Sequence, residues 1–387
     1  MSAVQGWTVP GFDSVREAFA ATVNSLDRSG GSCALVRDGE LVVDLWGGAG
    51  WERNTTTVVY SATKGVVATA VNLLVQRGAL DPDRTVARYW PEFGAAGKSG
   101  ITVRELLAHR AGLPVVEKPL TLAEVLAGGA AAVLAEQAPL WEPGSTHGYH
   151  ALTWGWLVGE LVRRVAGTSV GAFVARELGA EVGPGLRIGV PVAEQVGIAP
   201  LVADVPRPAE RDLITDPAAL AAVDRLLAAR SDPGSPLVRA LTTNGVLPTP
   251  DAAAWNDPVV RAAEIPAANA VTNARALAEM YGACVRATDP LLAPDTVAAA
   301  AVVVSDGEDR ITLRPTRFGL GYQLANEAVP MFGPGCFGHP GAGGSLAFAD
   351  PVRRSGFAYV TNQLRMSLLG DPRAVGVAEA ARAALDR

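Results

Sequence analysis

Lysine, cysteine and histidine are scarce in this sequence. The three cysteines, Cys33, Cys284 and Cys336, lie too far apart for a zinc cluster or a disulfide framework. Lysine occurs three times, as Lys64, Lys98 and Lys118, so arginine carries most of the positive charge, and the formal net charge is −6. That balance argues against nucleic acid or an anionic membrane surface as the main partner. No run reaches the ~18 uninterrupted apolar residues of a membrane span. Residues 1–13 lack the basic-then-apolar pattern of a secretory leader. A cytoplasmic protein with no membrane or nucleic-acid partner is expected. The four histidines, His109, His147, His150 and His339, have no carboxylates at ligand spacing, so neither a metal nor a cofactor is expected. Nothing in the sequence specifies an oligomeric state.

What is abundant is apolar. Hydrophobic residues make up 49% of 387 positions, enough for a sizeable core and long enough for two lobes. Ser14–Leu26 reads as an amphipathic helix. Cys33–Val36 and Leu41–Trp46 read as strands joined through Asp38-Gly39, a strong hairpin signal. Val58-Val59-Tyr60 leads into a helix from Ser61 to Arg77 that stops at Gly78. Helical periods follow over Val103–His109, Leu122–Glu136, Thr153–Val165 and Asn273–Arg286, while Gly183–Pro217 reads as loop. Strand signals return at Ile311–Leu313, Phe318–Leu324, Ser345–Ala349 and Gly356–Thr361. Asp371-Pro372 opens a terminal helix. The fold class expected is α+β. One antiparallel sheet draws on both termini (1–80 and 305–387), and a mainly helical lobe (81–304) is inserted between them.

The chemistry starts at Ser61-Ala62-Thr63-Lys64. With so few lysines, the pattern Ser-x-x-Lys has a chance expectation of about 0.1 in this chain. At the start of a helix, positions i and i+3 share a face, so the amine can reach the hydroxyl. The helix N-terminus favours developing negative charge. A lysine shielded from water has a lowered pKa and can accept a proton. The same four residues also fit a serine cap followed by a surface lysine. Against that, Val66–Leu74 is so rich in small apolar residues that the helix is expected to run through the core, where an idle lysine is costly.

Further segments resemble one family in order: Leu80-Asp81-Pro82, Tyr89-Trp90-Pro91-Glu92-Phe93, Ile101 through Pro114, Trp141-Glu142-Pro143-Gly144, Gly148-Tyr149-His150 and Gly338 through Ser345. Spread from about residue 7 to residue 361, the matches resemble the family VIII carboxylesterases, which share their fold with class C β-lactamases and D-alanyl-D-alanine carboxypeptidases. The resemblance implies that Tyr149 relays protons between Ser61, Lys64 and the leaving group. A nearby lysine ammonium is expected to depress its pKa. A buried tyrosine bonded to backbone is the plainer alternative. The resemblance also implies an oxyanion hole from the backbone N–H groups of Ser61 and Ala342. Gly341–Gly344 equally fits a glycine-rich turn. Trp141, His150, His339 and Gly341 are expected to border the substrate.

Two departures narrow the substrate. Where β-lactamases carry Tyr-x-Asn, this chain has Tyr149-His150-Ala151, and His339 replaces the lysine of Lys-Thr-Gly. Neutral acyl esters are therefore expected rather than lactams or peptidoglycan. Acyl transfer, amidase or weak β-lactamase chemistry on the same serine, and a non-catalytic binding protein, remain alternatives. A second pattern, Gly167-Thr168-Ser169-Val170-Gly171, fits G-x-S-x-G but follows a helical period, so it reads as a helix stop and a new cap, not a nucleophile elbow.

Overall fold

The computed structural model describes residues 4–26, 28–203, 214–250, 252–365 and 371–387. Among the described residues, twelve strands form two sheets. In chain order they are β1 (Gln5–Thr8), β2 (Gly30–Arg37), β3 (Glu40–Gly48), β4 (Thr57–Val58), β5 (Leu186–Ile188), β6 (Ala270–Thr272), β7 (Ser305–Glu308), β8 (Pro315–Phe318), β9 (Gln323–Leu324), β10 (Phe337–Pro340), β11 (Leu346–Asp350) and β12 (Ser355–Thr361). The large sheet runs β1-β3-β2-β12-β11-β10-β9-β8-β7, and each of its pairs is antiparallel. The expectation of one sheet drawn from both termini holds. The small sheet, β4-β6-β5, was not legible in advance.

Alternation along the central strands sorts their side chains onto two faces. Cys33 and Leu35 of β2 and Phe357 and Tyr359 of β12 join a core with Val15 and Phe19 of helix α1 (Asp13–Asn24) and Val377 and Ala381 of the C-terminal helix. The intervening Ala34, Val36, Ala358 and Val360 face the larger core. There Ala274–Val285 lies on the sheet, and contact is close: a Cβ at Gly356 would come within 2.2 Å of the Ala278 carbonyl.

The helix α2 (Ala62–Gln76) runs through this larger core, with every residue from Ala62 to Leu74 buried, as its composition implied. No helix among the described residues is long and apolar enough to cross a membrane.

Several boundaries differ from the sequence expectation. Ile311–Leu313 is a turn, not a strand, because the Asp309 carboxylate caps the N–H groups of Ile311 and Thr312 and Leu313 takes a φ of 56°. Phe318–Leu324 is broken between β8 and β9 by the turn at residues 319–322. Leu122–Glu136 forms two short helices, Leu122–Leu126 and Ala130–Glu136, parted at Gly128-Gly129. Gly183–Pro217 contains β5, while its residues 204–213 lie outside those described.

Candidate active site

The chain leaves β4, crosses Val59, and turns sharply at Tyr60, whose φ of 47° places a non-glycine residue in the left-handed region. Strain of this kind costs about 1–3 kcal/mol and persists only where packing holds it. Tyr60 is held by burial and an edge-on contact with Trp255 at 5.3 Å. Ser61 follows as the N-cap of α2, and its side chain caps no helix N–H, which leaves the hydroxyl to face elsewhere.

It faces Lys64. The amine Nζ lies 3.4 Å from Ser61 Oγ, 2.6 Å from the Ala151 carbonyl and 3.1 Å from the Ala267 carbonyl. Lys64 is 0% exposed, and burial drives its pKa well below the ordinary lysine value. A neutral amine has two N–H donors and one lone pair. The two carbonyls take the donors, and the lone pair is left for the Ser61 hydroxyl.

Tyr149 completes the cluster, with its ring 4.8 Å from Lys64 Nζ. Its ring stacks on Phe318 at 6.1 Å, and its N–H donates to Asp309 Oδ1 at 3.0 Å. Its hydroxyl lies 3.5 Å from His339 Nε2. The His339 Nδ1 donates to the Pro340 carbonyl at 2.6 Å, so the Nε2 lone pair faces the phenol. Burial pushes the phenol pKa up, the Ser61 hydroxyl opposes that rise, and the Asp309 charge adds to it. The expected depression by a lysine ammonium does not hold here, because burial discharges the lysine instead. Between the phenol and the amine, burial favours proton loss at the amine.

The strand β10 brings in the third side. Gly341 crosses so near the Val59 carbonyl that a Cβ there would stand 2.2 Å from it, which only glycine allows. Its N–H donates to the Ser345 carbonyl, and Arg373 donates to the Gly343 carbonyl at 3.0 Å, fixing the turn. Among the described residues, neither the Ser61 N–H nor the Ala342 N–H finds an acceptor. Ser61, Tyr149, His339, Gly341 and Ala342 line one cavity of about 280 Å³.

The family model "Beta-lactamase" matches residues 15–382. The chain belongs to the beta-lactamase family. It is 36% identical over 386 residues to Esterase/beta-lactamase LipL of Mycobacterium tuberculosis, spanning 95% of this chain and 84% of that protein. Among solved structures it is similar to a family VIII carboxylesterase, with a TM-score of 0.85, 33% identity and coverage of 99% of this chain and 100% of the other. A penicillin-binding protein homologue from Caulobacter crescentus matches with a TM-score of 0.83, 34% identity and the same coverage of both chains.

Within this member of the beta-lactamase family, two expected pocket residues do not reach the cavity. His150 is 0% exposed, its Nδ1 donates to the Gly148 carbonyl at 2.6 Å, and its Nε2 accepts from the Leu113 N–H at 2.9 Å. Both ring nitrogens are spent on holding loops together. Trp141 packs edge-on against that histidine at 6.0 Å instead of bordering the cavity. His109 is structural as expected, accepting the His150 N–H at 3.0 Å. Ser169 is a helix cap, bonded to the Ala172 N–H and the Glu264 carboxylate.

Asp309 was missed. Its Oδ1 holds the backbone of Tyr149, Ile311 and Thr312, and its Oδ2 accepts from Thr316. An aspartate opening a turn two or three residues before Ile311 and Thr312 is the one available signal. The carbonyls of Ala151 and Ala267 carry no signal, being backbone atoms.

Proposed function

We propose that the chain is a serine hydrolase of carboxylic esters that forms an acyl-enzyme on Ser61. The observation that carries this reading is the Lys64 amine, buried, with two carbonyls on its donors and Ser61 Oγ 3.4 Å away. Lys64 takes the Ser61 proton as Oγ bonds to the ester carbon. The oxyanion of the tetrahedral intermediate accepts from the Ser61 and Ala342 N–H groups. Collapse breaks the bond to the alcohol oxygen, which leaves with a proton delivered through Tyr149 from Lys64. Water then attacks the acyl-enzyme, gives its proton back along the same route, and releases the acid and the Ser61 hydroxyl. The similarity to a family VIII carboxylesterase and to the LipL esterase supports ester cleavage.

The phenol acts as a neutral relay in this scheme, since its raised pKa keeps the proton on it at neutral pH. His339 accepts from the phenol through Nε2 and helps orient it. Three free, buried cysteines suit a reducing compartment, and a cytoplasmic location belongs to the same reading.

The test is turnover of a short p-nitrophenyl ester together with intact-protein mass measurement. Wild-type protein is expected to gain one acyl mass on Ser61, and Ser61→Ala to lose both turnover and label. Undiminished turnover by Ser61→Ala overturns the assignment.

A further inference from the structure

Tyr149 leans on a part of the fold that belongs to neither large core. The helix Pro217–Ser231 and the short helix Pro236–Thr242 form a hairpin closed at Ser235. The Ser235 hydroxyl accepts from the Val238 N–H at 3.1 Å and donates to the Ala229 carbonyl at 2.5 Å. Val223 and Leu226 of the first helix and Leu237 of the second join Val115 and Ile311 in a small apolar cluster, separate from the core around α2 and from the core under the C-terminal helix. Tyr149 and Leu241 pack against that cluster.

The cavity beside Ser61 draws its apolar wall from two separate groups. Leu226, Leu237 and Leu241 of the helical hairpin line it together with Tyr149 and with Phe318, on which the tyrosine ring stacks. Leu346, Ala374 and Val375 line it as well, and Leu346 and Ala374 belong to the core under the C-terminal helix. Arg230, Arg314 and Arg365 also stand in the lining, and long arginine stems are compatible with an apolar wall.

Proton transfer divides an ester between the two groups. When the tetrahedral intermediate collapses, the bond between the former carbonyl carbon and the alcohol oxygen breaks, and the electron pair stays on that oxygen. Tyr149 supplies its proton and is reprotonated from Lys64. Direct transfer needs the two oxygens about 2.6–3.2 Å apart. The alcohol portion therefore lies on the Tyr149 side of the scissile carbon, and the acyl portion on the other.

We infer that Leu226, Leu237 and Leu241 form the subsite for the alcohol portion of the ester, and that this subsite selects bulky apolar alcohols over ethanol. Leu346, Ala374 and Val375 receive the acyl portion. This rests on the reading of Ser61 as the acylated nucleophile and Tyr149 as the proton donor. Leu241 is the member best placed to discriminate, since it is half-buried at the cavity while Leu226 and Leu237 are buried in the cluster.

The experiment measures kcat/KM by proton release for ethyl acetate, cyclohexyl acetate and ethyl octanoate. This constant covers the steps through acylation, the last in which the alcohol is still attached. Wild-type protein is expected to favour cyclohexyl over ethyl acetate by about tenfold or more. Leu241→Trp, which fills the subsite, is expected to lower the cyclohexyl-to-ethyl ratio by about tenfold. Leu241→Ala, which removes contact without crowding, is expected to lower it by about threefold. Neither is expected to move the octanoate-to-acetate ratio. Val375→Trp is expected to do the reverse, lowering the octanoate-to-acetate ratio and leaving the cyclohexyl-to-ethyl ratio in place.

Wild-type protein indifferent to the alcohol, or Leu241 variants that leave the alcohol ratio unmoved or shift the acyl ratio as much, overturns the subsite. The hydrolase then stands, because Ser61 still takes an acetyl mass. If no ester is cleaved and Ser61 takes no acyl mass, the hydrolase reading fails and the subsite with it.

Discussion

Lys64 Nζ and Ser61 Oγ lie 3.4 Å apart at the N-terminus of a helix that is buried from Ala62 to Leu74, and among the described residues no carboxylate pairs with the amine. An acid would hold the lysine charged. Its absence lets burial discharge the amine, so that the base is made by the position of α2 in the core.

The first prediction concerns that base. Lys64→Met is expected to lower kcat/KM about a thousandfold while keeping the native circular dichroism spectrum. In wild-type protein kcat/KM is expected to rise with pH and reach its plateau well below the ordinary lysine value of 10.5. The sign follows from the mechanism, because the reactive form is the deprotonated amine. Lys64→Arg, which cannot deprotonate in this range, is expected to show no such plateau.

Tyr149→Phe keeps the stacking on Phe318 and removes the hydroxyl, which is the proton relay and the partner of His339 Nε2. A p-nitrophenolate leaves without help, whereas an alkoxide needs a proton. The loss in kcat is therefore expected to be larger for ethyl esters than for p-nitrophenyl esters, by about tenfold or more. Equal losses on both would point to a role in binding alone.

Asp309 is a positioning residue, since it reaches Tyr149 only through the backbone N–H. Asp309→Ala orphans three N–H groups, and it is expected to lower Tm by several degrees and kcat by about tenfold. Asp309→Asn retains one oxygen acceptor and is expected to recover most of kcat. A purely structural role would lower Tm without moving the leaving-group dependence of kcat.

Acid is expected to unfold the protein through its buried histidines. Burial brings His150 down to about 4 and His339 down to about 3, against 6.5 for an ordinary histidine. Between pH 6.5 and these values the unfolded chain binds protons that the folded one refuses, so stability falls as pH falls through that window. The loss is about 3 kcal/mol for His150 and about 5 kcal/mol for His339 once the pH is below the folded pKa of each. Urea midpoints at neutral pH and at pH near 5, with proton uptake on unfolding, check this. A midpoint independent of pH across the window would contradict it.

The elements legible in the sequence are those whose signal is local. The Ser-x-x-Lys pattern sits at the start of α2, the hairpins at Asp38-Gly39 and before Ser355 form as read, and the alternation of Phe357 to Val360 sets the faces of β12. Short strands such as β5 and β6 had no local signal, since two or three residues become a strand only when a partner is beside them. The split of Phe318–Leu324 turned on one glycine-rich turn.

For the site itself, local sequence determined which residues could do chemistry: a serine and a lysine one helical turn apart, a tyrosine, and a glycine stretch. Tertiary structure decided the rest. Whether Lys64 is charged depends on burial and on carbonyls from Ala151 and Ala267, 87 and 203 positions away. That His339 faces the cavity while His150 is spent on Leu113 and Gly148 depends on which strand and loop each one meets. Electrostatic environment and hydrogen-bond partnership arise from atoms brought near by folding, and they are properties of the packed chain, not of any residue type.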